Sequence, residues 1–196
     1  MKNRRVEKYR NQPKLLLEEF DLLTLPINVD ELAKKLNIEL VKKDLENSLS
    51  GEITYDPKKD AAKIVINSEQ SEQRQRFSTA HEIAHYIYDL DFSKENDIKD
   101  IQKHNRSEVV NPIERRANKF AEKLLMPYDL FREEAIRVKN KRFHDKDKLT
   151  VSNIYTIANE LSDIFNVSKS AIYIRLHSVK LISYDTKSKL FDEYYI

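Results

Sequence analysis

Residues 68–90 read SEQSEQRQRFSTAHEIAHYIYDL. The apolar positions Phe77, Ala80, Ile83, Ala84, Ile87 and Tyr88 recur at intervals of three and four, which predicts one helix with a continuous buried side. His81 and His85 stand four residues apart in it. That spacing returns two side chains to one face, so both imidazoles can bind a single metal ion. Glu82 follows His81 directly and is rotated off the ligand direction, within reach of a water at the metal but not of the metal itself. The arrangement H-E-x-x-H suits a zinc-dependent peptide hydrolase.

A catalytic zinc site takes three protein ligands and one open position. The chain has no cysteine, so the third ligand must be His, Asp or Glu. Glu114, at the start of the next strongly patterned helix, is favoured. The rival is His104, in the polar stretch between the two helices. A rigid helix places a ligand better than a polar loop does. Asn118 lies four residues beyond Glu114, on the same helix face, where it can hydrogen-bond the outer nitrogen of a ligand histidine and fix its tautomer. In the chemistry expected of this set, Glu82 takes a proton from the attacking water and returns it to the leaving amine. Zinc is the expected cofactor, one per chain; the same trio of ligands can hold manganese or iron.

Working outward, Lys14–Phe20 carries a short helical pattern. Leu25-Pro26-Ile27-Asn28 breaks it, with Asn28 placed to cap a second helix through Val29, Leu32, Ala33 and Leu36. Three strands follow: Ile38–Val41, Glu52–Tyr55 opened by Gly51, and Lys63–Asn67. The last two surround the turn Asp56–Asp60 and predict a hairpin. Gly51 is the single glycine of the chain. Ile64, Val65 and Ile66 are read as a sheet edge above the metal, where an extended substrate peptide adds as an extra strand. After the motif helix, residues 91–111 are polar and read as a loop or a weakly helical insertion, with the plain loop favoured over a lid or substrate guide. Pro112 suits the first turn of a helix through Ile113, Ala117, Phe120, Ala121, Leu124 and Leu125, which Pro127 stops. Another helix runs from about Pro127 toward Lys139, and Lys139–Lys148 is a charged connector. The expected class is α+β, a mainly helical peptidase core with a small β-sheet over residues 1–138. A helix-turn-helix unit over 149–182 and a tail over 183–196 follow it.

Composition bounds the function. The 196 residues include 35 Lys and Arg against 33 Asp and Glu, a net charge of +2. So small an excess does not announce a nucleic-acid binder. No apolar run reaches the length of a membrane span, and the basic N-terminus lacks the apolar core of a secretory signal, so a cytoplasmic location is the expectation. In the last third, Ile154, Ile157, Ala158 and Leu161 share one helix face. Asn166-Val167-Ser168 makes a short turn, and Ala171, Ile172, Leu176 and Val179 continue on a second helix. That second helix would offer Lys169, Ser170, Tyr173 and His177 to a DNA groove. Glu160 and Asp163 on the first helix argue against it, since DNA affinity depends on clustered cations.

Two stretches resemble a known family. Arg76-Phe77-Ser78-Thr79-Ala80-His81-Glu82-Ile83-Ala84-His85 is close to R-F-T-x-A-H-E-x-x-H. The run from Glu114 through Ala117-Asn118, Phe120-Ala121 and Leu124-Leu125-Met126-Pro127 is close to E-x-x-A-N-x-F-A-x-x-L-L-M-P. Together they resemble the ImmA/IrrE family of metallopeptidases, over about Ile27 to Ile182. The resemblance implies a gluzincin-like fold, His81, His85 and Glu114 as metal ligands, and Glu82 as the acid/base. It also implies a substrate that is a DNA-binding, helix-turn-helix transcriptional repressor, cut to switch on mobile-element or stress genes. The length is closer to the ImmA type than to the IrrE type, which carries a further C-terminal sensor domain. One departure is Asn166 where the family has glycine in the helix-turn-helix turn; Asn tolerates the left-handed conformation. The competing expectation is a non-hydrolytic regulator or toxin–antitoxin component that binds a repressor or DNA.

Overall fold

A computed structural model describes residues 6–45, 49–90, 96–97, 112–144 and 149–194. The chain forms an α+β fold and divides into two compact units, residues 1–125 and 126–196. The division falls after Leu125, so the helix beginning at Tyr128 belongs with the C-terminal unit and not with a core ending at residue 138.

In the first unit, α1 (Lys14–Glu19) buries Leu16 and Leu17. Asn28 caps α2 (Val29–Lys35), its side chain accepting from the Glu31 amide at 2.9 Å. Acidic Asp30 and Glu31 in the first turn and Lys34 and Lys35 in the last complement the helix dipole. The strands are β1 (Ile38–Lys43), β2 (Gly51–Asp56), β3 (Ala61–Asn67) and β4 (Asn96–Asp97), in the order β1-β3-β2-β4. β2 and β3 form the expected antiparallel hairpin, with Ile53 opposite Ile64. Asp56 shapes its turn by accepting from the Lys58 and Lys59 amides. β1 joins β3 in parallel, with Leu40 opposite Ile64.

This order corrects the reading of Ile64, Val65 and Ile66 as a substrate-binding edge. β3 is hydrogen-bonded on both sides, and the three side chains are core, at 0%, 5% and 0% exposure. No peptide can add where both rows of backbone groups are already paired. β4 pairs with Thr54 and Tyr55 of β2 and lies within the stretch read as a loop; the remainder of 91–111, with His104, lies outside the described residues.

Helix α3 (Glu72–Tyr88) starts later than residue 68 because Ser71 caps it, accepting from the Arg74 amide. Asn67 holds the preceding chain: its amide nitrogen donates to the Leu45 and Leu49 carbonyls, and its oxygen accepts from the Glu69 amide. Helix α4 (Pro112–Leu125) lies against α3 and buries Ala117, Phe120, Ala121, Leu124 and Leu125.

The second unit contains α5 (Tyr128–Phe143), α6 (Val151–Phe165), α7 (Lys169–Ser178) and α8 (Tyr184–Tyr194). α5 extends four residues past Lys139 into the expected connector, where Lys141 and Arg142 both pair with Glu160 of α6. Thr150 and Asn153 form a reciprocal capping box at the start of α6. Asn166 ends α6 in the left-handed conformation (φ 48°, ψ 56°), and Ser168 caps α7 three residues after α6 ends. Tyr173 is fully buried and packs edge-on against Phe191 at 5.4 Å, so it is not available to a DNA groove. The expected tail is mostly helix α8, which anchors Leu190 in the core.

Candidate metal centre

Helix periodicity carries His81 and His85 to one side of α3, facing the first turn of α4. Their Nε2 atoms stand 2.9 Å apart. Glu114 Oε2 is 3.0 Å from His81 Nε2, and Glu114 Oε1 is 3.5 Å from His85 Nε2. The three side chains offer one ligand atom each, all within 4.8 Å of one another. Two donors about 2.0–2.1 Å from a tetrahedral ion stand roughly 3.3 Å apart, so this spacing fits a small divalent cation with little adjustment.

The outer nitrogens decide which way the rings present their lone pairs. His85 Nδ1 donates to the Asp89 carboxylate at 2.8 Å. His81 Nδ1 lies 3.0 Å from the Asn118 side-chain oxygen and donates to it. With protons on both Nδ1 atoms, neutral rings would turn two Nε2 lone pairs and a carboxylate toward one point. A cation shared by the three groups relieves that. Glu114 Oε1 is buried and makes no hydrogen bond among the described residues, as expected of an atom reserved for an ion.

Electrostatics agree. Burial works to lower the His85 pKa, but Asp89 and Glu114 outweigh it, and the ring is pushed up to about 10. Glu114 is held well below the usual carboxylate range by His81 and then His85, against the effect of burial.

Glu82 is on the same helix turn and nearly inaccessible, at 2% exposure. Its charge also favours the protonated His85. Two neighbours of this site were not assigned from sequence. Asp89, four residues after His85, orients that ring and is in turn held by Arg116. The signal was the i,i+4 spacing, masked because an aspartate at a helix end reads as a solvent-facing cap. Gly51, at the start of β2, lies against Glu82.

An α+β core in which two helices converge a His-His-Glu set on one point is the framework of a metallopeptidase. The IrrE N-terminal-like domain, a peptidase family, matches residues 33–177, about three quarters of the chain. The chain belongs to this family. No curated protein matches it. A solved structure of a Mycobacterium tuberculosis transcriptional regulator is similar at 15% identity and a TM-score of 0.49, over 89% of this chain and 45% of that one. The chain spans less than half the length of that regulator. Among the described residues, no helix is long and apolar enough to cross a membrane.

Proposed function

We propose that the chain is a zinc-dependent endopeptidase that cuts a DNA-binding transcriptional repressor. The observation that carries the hydrolytic part is the convergence of His81, His85 and Glu114 beside a buried Glu82. The repressor as substrate rests on the family resemblance.

In this reading His81, His85 and Glu114 hold the ion, and Asn118 and Asp89 fix the two rings with their Nε2 atoms inward. A zinc ion held there supplies Lewis acidity to a water and to the scissile carbonyl. Glu82 takes the proton of the attacking water. Its burial keeps the carboxylate out of bulk solvent, which favours return of that proton to the leaving amine over its loss to water. Glu82 is not in the ligand set, so its removal separates binding from turnover.

The test uses purified protein and a purified helix-turn-helix repressor, taken from a neighbouring gene where one is encoded there. Wild type is expected to carry one zinc per chain and to cleave the repressor. Glu82→Gln is expected to keep the zinc and leave the repressor intact. Normal cleavage by that variant overturns the mechanism. An intact repressor with wild type, together with a gel shift that survives chelation, assigns the chain instead to a non-hydrolytic regulator.

A further inference from the structure

The outer face of α4, turned away from the metal ligands, lines a cleft of about 460 Å³ within the first unit. Five cations line it: Arg10, Arg115, Arg116, Lys119 and Lys123. The chain as a whole is almost balanced, with 35 basic and 33 acidic residues, so this is local segregation and not an overall excess. Two of the five are engaged. Arg116 pairs with Asp89, and Arg10 lies 3.8 Å from Glu7. Arg115, Lys119 and Lys123 have no acidic partner among the described residues. By contrast, Lys8, Lys42, Lys63, Lys141 and Arg142 elsewhere each meet a carboxylate.

The geometry points to a binding site for an extended acidic peptide segment of a protein partner. Arg115, Lys119 and Lys123 follow at i, i+4 and i+8, so they form one row with steps of about 6 Å along the helix. Alternate side chains of an extended peptide repeat at roughly 6.6 Å and fall on one side, which matches that row. A concave wall of like charge focuses its field on an anion entering it. Nucleic acid fits less well. Tyr88 is the half-buried ring of the cleft, and the guanidiniums of Arg10 and Arg116 already lie over it, at 5.9 and 4.6 Å from its centre. No open ring face is left for a base to stack on. Duplex DNA requires an element that projects into a groove, not a recess. The site stands beside the peptidase reading and does not require it, since none of the row is a metal ligand.

The experiment is fluorescence anisotropy of a fluorescein-labelled octaglutamate peptide with the full chain, in zinc and again in chelator. Binding is expected in both, and is expected to weaken sharply between about 50 and about 500 mM salt. Lys119→Glu with Lys123→Glu should lower the affinity roughly tenfold or more. Lys119→Gln with Lys123→Gln should lower it less. Lys35→Glu with Lys58→Glu, an equal charge change on other exposed surface, should leave it near wild type. Circular dichroism checks that each variant is folded. An equal loss in both charge-reversed pairs overturns the proposal, because the attraction is then unspecific. Displacement of the peptide by orthophosphate at matched charge overturns it in favour of a small-anion site. Tighter binding of single-stranded oligothymidylate, lost in the Lys119/Lys123 variant, overturns it in favour of nucleic acid. Failure of the peptidase reading would appear separately, as cleavage unaffected by Glu82→Gln, with peptide binding unchanged.

Discussion

Gly51 and Glu82 are in direct opposition: a Cβ placed on Gly51 would stand 3.2 Å from Glu82 Oε1, 3.3 Å from the Val65 carbonyl oxygen and 2.8 Å from Ile66 Cδ1. The φ of Gly51 is not positive, so glycine is required here by space and not by backbone conformation. The carbonyl oxygen belongs to a central strand and Ile66 is fully buried, so the element with most freedom to yield is the Glu82 carboxylate. Gly51→Ala is therefore expected to destabilise by about 1–3 kcal/mol and, under the proposed peptidase reading, to lower turnover by up to roughly 100-fold, with metal content equal to that of wild type. Urea unfolding, metal analysis and repressor cleavage check the three parts. Full activity in this variant would show that Glu82 is not held in place by β2.

If His81 and His85 hold the ion as proposed, Asp89 and Asn118 act on metal affinity through those two rings. Each accepts from the Nδ1 of one histidine, at 2.8 and 3.0 Å. Asp89→Ala leaves His85 free to rotate and to place its proton on Nε2, where the ion must bind. The expected loss is about 10–100-fold in zinc affinity, read by competition with a chromophoric chelator. Asn118→Ala should weaken binding through His81 in the same way, and less, because Asn118 carries no charge. An unchanged affinity in both variants would remove their orienting role.

How much of this was legible in the sequence depends on whether the information was local. The hairpin, the Asn28 and Ser168 caps and the turn at Asn166 follow from neighbours within a few residues, and each is where its spacing places it; the motif helix does too, except that its first turn begins at Glu72. His81, His85 and Glu114 could be singled out because two helices each carry part of the set at helical spacing. Strand order was not legible. Three apolar runs declare strands, but β3 became central because β1 returns in parallel along its far side, a long-range choice with no local mark. β4 is Asn96-Asp97, residues with little strand preference, and its pairing comes from β2. The division of the chain falls before α5 and not at residue 138, because which neighbour a helix joins has no local mark; α5 buries Phe131, Ala135 and Val138, and Phe131 packs against Phe165 of α6. Gly51 was conspicuous as the single glycine, but its reason lies in a residue 31 positions away.

Tyr55 sets an alkaline limit on stability. Its hydroxyl donates to Asp60 at 2.6 Å, and that bond, then burial, pushes its pKa up to about 12 from an ordinary value of 10.0. Below about pH 10 the phenol is protonated in folded and unfolded chains alike, and its contribution is fully present. Between about 10 and 12 the unfolded chain ionises while the folded one keeps its proton. The unfolded state then binds fewer protons, so stability falls as pH rises. Tyr55→Phe is expected to be less stable than wild type by about 1 kcal/mol near pH 9, with the gap closing toward pH 12. Urea midpoints across that range check it. Parallel curves for the two proteins would contradict the assigned shift.

Arg175 is the buried charge of the C-terminal unit among the described residues, at 5% exposure. Its Nη2 donates to the Met126 carbonyl at 2.6 Å, and the guanidinium lies 5.9 Å from the centre of the Phe131 ring. It thereby ties α7 to the residues that precede α5. Replacing it with Met keeps most of the apolar stem but leaves the Met126 carbonyl in a buried place without its charged donor. Loss of a hydrogen bond to a charged group predicts about 2–3 kcal/mol of destabilisation. Arg175→Lys keeps a charge but not the planar fork, and should recover only part of this. The effect should appear in urea unfolding followed by circular dichroism, with any metal affinity of the first unit unchanged, since His81, His85 and Glu114 all lie in that unit. A midpoint for Arg175→Met equal to wild type would show that the carbonyl finds another partner and that the buried guanidinium is not what joins these helices.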